Sequence, residues 1–243
     1  MVDNIKINVP KHVGIIMDGN RRWARAHGLP VIFGYKDAAD KVIEPIIEKA
    51  GEMGISYLTF WAFSTENWER KESEIKGLMN VFRYILKAKL ERFHKKGAKI
   101  KILGDMSKFP SDIRVGVEAA VNKTKNNKKI NVNFAINYGG RDEIVRAANK
   151  IVTSLEGPYR VNTSEKLKKI NEKQFSEYLD TAGQPDPDLI IRTGGGERLS
   201  GFLTWQSVYS ELYFTDVLFP DFTQKEFEKA VGKYSERQRR YGK

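Results

Sequence analysis

Apolar positions along the chain switch between two periods. Val13-Gly-Ile-Ile-Met17 is a short unbroken apolar run ending at Asp18-Gly19, the pattern of a buried strand entering a loop. Lys36 to Met53 carries Val42, Ile43, Ile46, Ile47 and Ala50 on one helical face, and Pro45 should bend or interrupt that helix. Tyr57 to Phe63 reads as a strand buried on both faces. Glu72 to Phe93 is the longest helical pattern, with Leu78, Phe82, Ile85, Leu86, Leu90 and Phe93 in line. Further strands over Lys99 to Leu103, Asn131 to Ile136 and Asp188 to Ile191 are separated by helical patterns over Ser111 to Lys125, Arg141 to Leu155 and Glu172 to Leu179. A last helix is expected over Gln224 to Arg239. Glu156 to Lys169, with Gly157, Pro158 and several polar residues, has the composition of a mobile loop.

This alternation predicts an α/β fold, a mostly parallel central sheet flanked by helices, and one domain over residues 1–243. In such sheets a polar site gathers beyond the carboxyl ends of the strands. The chemistry-bearing residues fall there: Asp18 after the first strand, Ser64 to Arg70 after another, and Arg192 to Ser200 after a later one.

Composition narrows the chemistry. Hydrophobic residues make up 40% of 243, enough for a core, and there is no cysteine, so disulfides, thiolate metal sites and cysteine nucleophiles are excluded. His12, His27 and His94 stand far apart, which argues against a histidine zinc site. No apolar run approaches the roughly 20 residues that span a bilayer. Met1 to Pro10 lacks the apolar stretch of a signal peptide, so a cytoplasmic protein is expected. The net charge of +11 favours polyanionic partners: nucleic acid, anionic lipid or diphosphates. A nucleic-acid binder should interleave aromatic and basic residues on an exposed face, and no segment does, so no nucleic-acid partner is expected.

Three clusters carry candidate chemistry. In Asp18-Gly19-Asn20-Arg21-Arg22-Trp23 a carboxylate and backbone N–H groups precede a helix opened by two arginines, the components of a phosphate cradle beside a Mg²⁺ carboxylate. An Asp-Gly turn leading into an exposed basic helix would look the same. In Ser64-Thr65-Glu66-Asn67-Trp68-Glu69-Arg70 hydroxyls, an amide and a carboxylate can orient a polar head and manage a proton, or merely cap a helix. In Arg192-Thr-Gly-Gly-Gly-Glu-Arg-Leu-Ser200 two arginines flank a glycine turn, with Glu211 downstream. Arginine forks suit bidentate diphosphate binding, and a charged surface hairpin is the alternative. The apolar side of the Glu72 to Phe93 helix and the strands Leu58 to Phe63 and Val132 to Ile136 could wall a slot for a hydrocarbon tail or form ordinary core.

In His12-Val-Gly-Ile-Ile-Met-Asp-Gly-Asn-Arg-Arg-Trp-Ala24, Ala62-Phe-Ser-Thr-Glu-Asn-Trp-Glu-Arg70, Asn137-Tyr-Gly-Gly-Arg141, Asp188-Leu-Ile-Ile-Arg-Thr-Gly-Gly195 and Glu211-Leu-Tyr-Phe-Thr-Asp-Val-Leu-Phe-Pro-Asp221 the chain resembles the cis-prenyltransferase family, which includes undecaprenyl diphosphate synthase, in order and over nearly its whole length. The resemblance implies that fold and a Mg²⁺-dependent condensation of isopentenyl diphosphate with an allylic prenyl diphosphate. Asp18 would bind Mg²⁺ and help the allylic diphosphate leave. Gly19, Asn20, Arg21 and Arg22 would hold that diphosphate with Trp23 beside it. Arg192, Arg198 and Ser200 would bind isopentenyl diphosphate, and Glu211 would complete the metal site. Ser64, Glu66 and Asn67 would position substrates and assist proton removal, supported by Trp68 and Arg70. The tail Arg240-Tyr241-Gly242 resembles one that reaches into a partner subunit's site, which implies a homodimer; a loose membrane contact would serve product release.

Four positions depart from the family pattern: Val31 for arginine, Tyr35 for histidine, Ala38 for glycine and Gly196 for glutamate. The Pro45 helix is also one residue longer than usual. Members that form irregular, lavandulyl-type products share the tyrosine and lose the glutamate, but they lack the Ser-x-Glu-Asn-Trp segment retained here. Head-to-tail condensation is therefore expected, with irregular coupling and a non-catalytic partner subunit as the alternatives.

Overall fold

The computed structural model describes residues 8–156 and 169–237. Six strands form one all-parallel sheet: β1 (His12–Ile16), β2 (Tyr57–Ser64), β3 (Ala98–Leu103), β4 (Ile130–Tyr138), β5 (Leu189–Arg192) and β6 (Glu211–Phe214), in the order β3-β4-β2-β1-β5-β6. Between them run α1 (Asn20–Ala26), α2 (Ile32–Lys41), α3 (Ile43–Glu52), α4 (Glu72–Ala88), α5 (Leu90–Lys95), α6 (Ser111–Thr124), α7 (Gly140–Glu156) and α8 (Glu172–Ser176), and α9 (Gln224–Glu236) follows β6. All five residues of β1 are buried, which is why its sequence shows no alternation. One face of β1, through Val13 and Ile15, joins the main core with Ile46, Ile47, Phe227 and Val231. The other meets Phe202, whose ring lies 2.9 Å from where a Cβ on Gly14 would sit.

Apart from β6 the strand positions agree with the sequence pattern, but several helix boundaries differ, including α8, which stops at Ser176 and not Leu179. The Lys36 to Met53 pattern is two helices that part at Val42 (φ −109°), three residues before Pro45. Pro45 thus sits in the first turn of α3, where its missing N–H costs no helical bond. The Glu72 to Phe93 pattern breaks at Lys89, whose ammonium is buried 2.9 Å from Asp40; no glycine or proline announces it. The last helix stops at Glu236, and Arg237 is extended (φ −80°, ψ 120°) with its guanidinium on Glu211. Strand β6 went unmarked in the sequence because all four of its residues are only half-buried. The loop expected over Glu156 to Lys169 falls almost entirely outside the described residues.

The register places the site. Ile16 pairs with Trp61 on one side and Arg192 on the other, and Arg192 pairs with Phe214. Strands β1, β5 and β6 therefore end level, at Ile16, Arg192 and Phe214, while β2 runs three residues further to Ser64. The chain leaves β1 towards β2 and returns to its opposite flank as β5, so the topological switch opens a crevice where Asp18 and Arg192 emerge.

Candidate active site

Asp18 is the hub of this crevice. Its Oδ1 accepts from the Gly19 N–H at 2.7 Å, and its Oδ2 accepts from Arg192 Nη2 at 2.8 Å. Gly19 has φ 107°, and a Cβ there would meet Leu218 at 2.9 Å, so glycine is what allows the turn. The guanidinium of Arg192 is buried and forked. Nη1 donates to Ser200 Oγ at 2.9 Å and to the Arg198 carbonyl, while Nε is buried with no partner. That orphan Nε–H faces Gly196, whose Cβ would stand 2.7 Å away. Glycine at 196 therefore supplies no side chain to this donor. Arg22 donates to the Gly194 carbonyl across the crevice, with Nη2 3.9 Å from Asp18 Oδ1. Gly194 sits at φ 78°, in the left-handed region, and a Cβ there would press on the Asp18 backbone at 3.1 Å and displace the Arg22 guanidinium.

Together these groups line a polar cleft of about 470 Å³, the scale of a small-ligand site. Arg21, Arg22, Arg25, Arg70 and Arg192 face it with Asp18, Ser64, Asn67 and Ser200. Five guanidiniums, offset by Asp18 and by Glu74 behind Arg21 and Arg70, leave it net positive and anion-attracting. Directly below, Met17, Asn20, Tyr35 and Ala62 belong to the walls of both this cleft and an apolar chamber of about 100 Å³. Leu78, Phe82, Ile85 and Leu86 of α4 form one wall of that chamber, and Ile100, Phe134 and Ile136 of the sheet form another. The slot expected behind α4 is thus present and opens at the arginines.

Several expected site residues do something else. Asn20 commits one amide N–H to the fold: Nδ2 donates to the Met17 carbonyl at 2.8 Å, and Oδ1 is a buried unpaired acceptor. Trp23 is buried, with Nε1 donating to Asp221 at 2.8 Å and its ring stacked on His27, so it braces α1 instead of facing the cleft. Asn67 Oδ1 accepts from the Ser64 N–H at 3.1 Å, so capping takes its carbonyl and its NH₂ remains for the cleft. Glu66 faces a neighbouring hollow with Thr65, Arg141 and Ser200. Burial pushes its carboxyl up, but bonds from its own backbone N–H and the Ser64 and Thr65 hydroxyls outweigh this and hold it below the usual range. Trp68 donates to Asn137 Oδ1 at 2.8 Å and packs edge-on against Phe63 and Phe109, supporting the cleft from beneath. The side chain of Arg198 is exposed beyond the cleft rim.

Glu211 is not brought to Asp18 within one chain. It pairs with Leu189 at the amino end of β5, three residues and about 10 Å along the strand from the Arg192 level. Its carboxylate is held by Arg237 at 2.7 Å. Arg240 and Gly242 lie outside the described residues. Among the described residues, no three His, Asp or Glu side chains converge as a protein-only metal site.

Sequence reasoning missed Arg25, one helical turn beyond Arg21 and so on the same face. It also missed Thr193, whose Oγ1 donates to the Asp18 carbonyl at 2.7 Å and fixes that loop. Glu74 escaped as an ordinary first-turn helix acid, yet Arg70 donates to it at 2.8 Å and to the Tyr35 hydroxyl.

Comparison with known proteins agrees with this architecture. Residues 16–242 match the prenyltransferase family model described as undecaprenyl diphosphate synthase. An isoprenyl transferase of Clostridium perfringens is 41% identical over 98% of this chain and 92% of its own length, and one of Aquifex aeolicus is 43% identical over 98% of each. The structure of lavandulyl diphosphate synthase from Lavandula x intermedia, in complex with dimethylallyl diphosphate, superposes with a TM-score of 0.89 at 33% identity, covering 99% of this chain and 100% of the other. That of a probable undecaprenyl diphosphate synthase from Campylobacter jejuni gives 0.79 at 33% identity, covering 97% and 100%. With an arginine-lined cleft over an apolar chamber and a match over nearly its full length, the chain belongs to the undecaprenyl diphosphate synthase family of prenyltransferases.

Proposed function

We propose that the protein joins isopentenyl diphosphate head-to-tail to an allylic prenyl diphosphate, forming a cis double bond and releasing diphosphate. The observation that carries this reading is the continuity of the cleft with the chamber. One end suits two diphosphate heads and the other suits only hydrocarbon. The allylic diphosphate lies against Gly19, Arg21, Arg22 and Arg25 at the start of α1. The isopentenyl diphosphate lies against Arg192 and Ser200.

Asp18 is the residue that would hold Mg²⁺, an ion that commonly takes only one or two carboxylates from a protein and relies on phosphate for the rest. Once bound, it neutralises charge on the departing diphosphate. The arginines stabilise the same charge from fixed positions. The allylic C–O bond breaks as the isopentenyl double bond attacks the allylic carbon, and a proton leaves the adjacent isopentenyl carbon. A diphosphate oxygen receives that proton, with the Ser64 hydroxyl on the cleft wall placed to relay it. Asn67 NH₂ orients the head groups. The apolar chamber keeps water from the cationic carbon.

The active form proposed is a homodimer of single-domain subunits, cytoplasmic and loosely associated with membrane. Val208 and Tyr209 are 70% and 78% exposed just before β6, the sheet's open edge, which suits a second copy there. Among the described residues no helix is long and apolar enough to cross a membrane. Incorporation of labelled isopentenyl diphosphate into dimethylallyl, geranyl and farnesyl primers with Mg²⁺, with NMR of the products, tests the reading. Linear cis products support it; branched products or no incorporation refute it.

A further inference from the structure

Four residues are common to the cleft and the chamber, and only one of them is a large rigid ring. Ala62 is short, Met17 is flexible and Asn20 is tied to the backbone by its own amide. Tyr35 of α2 is the exception. Its hydroxyl accepts from Arg70 Nη1 at 2.5 Å and lies 3.5 Å from Glu74 Oε1, while Arg70 itself donates to Glu74 at 2.8 Å. Arg21 Nε stands 3.7 Å from the same carboxylate oxygen, so the phenol is anchored in a charged cluster joining α1, α2 and α4. Burial pushes the phenol's pKa up, so it stays neutral and able to share hydrogen bonds with both partners.

The backbone carrying Tyr35 cannot retreat. A Cβ on the preceding Gly34 would lie 2.1 Å from the Asn20 carbonyl oxygen, so α2 rests directly on α1. On its other side Ile32 Cδ1 stands 3.0 Å from where a Cβ on Gly77 would be, so α2 also rests on α4. With the helix fixed between two neighbours and the hydroxyl fixed at the polar end, the ring is held where the cleft meets the chamber. Below it, a chamber of about 100 Å³ is smaller than an engineered cavity of about 150 Å³ that holds benzene. It accommodates little more than one prenyl unit.

We propose that Tyr35 is a specificity-determining residue for the reaction above, admitting short allylic tails and obstructing long ones. This rests on the prenyltransferase reading and adds to it the class of primer: a short allylic diphosphate such as dimethylallyl diphosphate.

The test is the ratio of kcat/KM for farnesyl over dimethylallyl diphosphate, measured on the full chain as wild type, Tyr35→Ala and Tyr35→Phe. The ratio cancels any general loss of activity. The wild type favours dimethylallyl diphosphate. Tyr35→Ala raises the ratio by about tenfold or more, the scale on which a hydrophobic pocket discriminates chain length. Tyr35→Phe, which keeps the ring and loses its anchor, raises it less, and it also serves where the alanine variant melts early. A wild-type preference for farnesyl diphosphate, or a ratio unmoved within twofold in both variants, overturns the proposal while leaving the prenyltransferase reading intact. A wild type that incorporates no isopentenyl diphosphate with any primer overturns both.

Discussion

Arg192→Lys is the most informative single substitution, because it keeps the charge and removes the fork. In the native site one guanidinium reaches Asp18 Oδ2 at 2.8 Å, Ser200 Oγ at 2.9 Å and the Arg198 carbonyl, with Nε–H unpaired. A lysine ammonium is a single point on a flexible stem and cannot meet these partners together. Hydrogen bonds to charged groups contribute about 1.5–3 kcal/mol each. The Asp18 side chain is 38% exposed, so solvent screening removes much of its share, and a net loss of about 1–3 kcal/mol is expected. For a chain of this size that is a fall in Tm of roughly 3–10 °C by calorimetry. The effect on chemistry is larger, because in the proposed reaction the fork that holds Asp18 would also hold isopentenyl diphosphate. Loss of one preorganised donor at a site of developing charge costs about 10²–10³ in rate, or about 2.7–4 kcal/mol. Steady-state incorporation of isopentenyl diphosphate should therefore fall by that factor while the variant remains folded. Activity within threefold of wild type would refute the claim that the fork, as distinct from the charge, organises the site.

Other consequences follow from the same geometry. Gly194→Ala forces φ 78° on a residue with a side chain and drives a Cβ to 2.6 Å from Arg22; titration should show weaker binding of allylic diphosphate, with KM raised about tenfold or more. Chelation of divalent ions abolishes turnover, and Asp18→Asn raises the Mg²⁺ concentration needed for half-maximal rate, read from Mg²⁺ titrations of both proteins. Burial lowers the pKa of His12 from 6.5 to about 4, its ring being sequestered between the Pro185 carbonyl and Thr59 Oγ1. Below pH 6.5 the unfolded chain takes up a proton that the folded chain refuses. Stability is therefore whole above that pH and falls by roughly 3 kcal/mol as pH drops towards 4. Urea unfolding at pH 7 and pH 4.5 should show this fall in the wild type and a smaller one in His12→Gln.

What the sequence revealed and what it hid have physical causes. The parallel sheet was legible because β1, β2 and β5 are buried on both faces and read as apolar runs. The mouth was legible because Asp18, Ser64 and Arg192 each lie at the carboxyl end of such a run, and parallel pairing of adjacent strands brings those ends to one edge of the sheet. Periodicity could not show the split at Lys89, which depends on Asp40 in another helix, nor β6, which is half-buried. Side-chain roles were harder still. The family resemblance implied substrate roles for Asn20, Asn67 and Trp23, and in the fold each also has a polar group committed to a partner: Met17, Ser64 and Asp221. Glu211 shares a motif with site residues but sits at the other end of its strand, because strand register, and not proximity in sequence, decides which end of a sheet a residue faces. Tyr35 stood out in the sequence only as a departure from the family pattern; its place at the neck comes from the packing of α2 between α1 and α4.

A crystal structure with a non-cleavable thiolo analogue of dimethylallyl diphosphate and Mg²⁺ tests most directly whether the arginines and Asp18 gather a diphosphate above a hydrocarbon slot. The account predicts the diphosphate against Gly19, Arg21 and Arg22, the ion on Asp18, and the tail directed past Tyr35 towards Phe82 and Ile85. A diphosphate bound elsewhere, or a tail lying in solvent with the chamber closed beneath it, would contradict it.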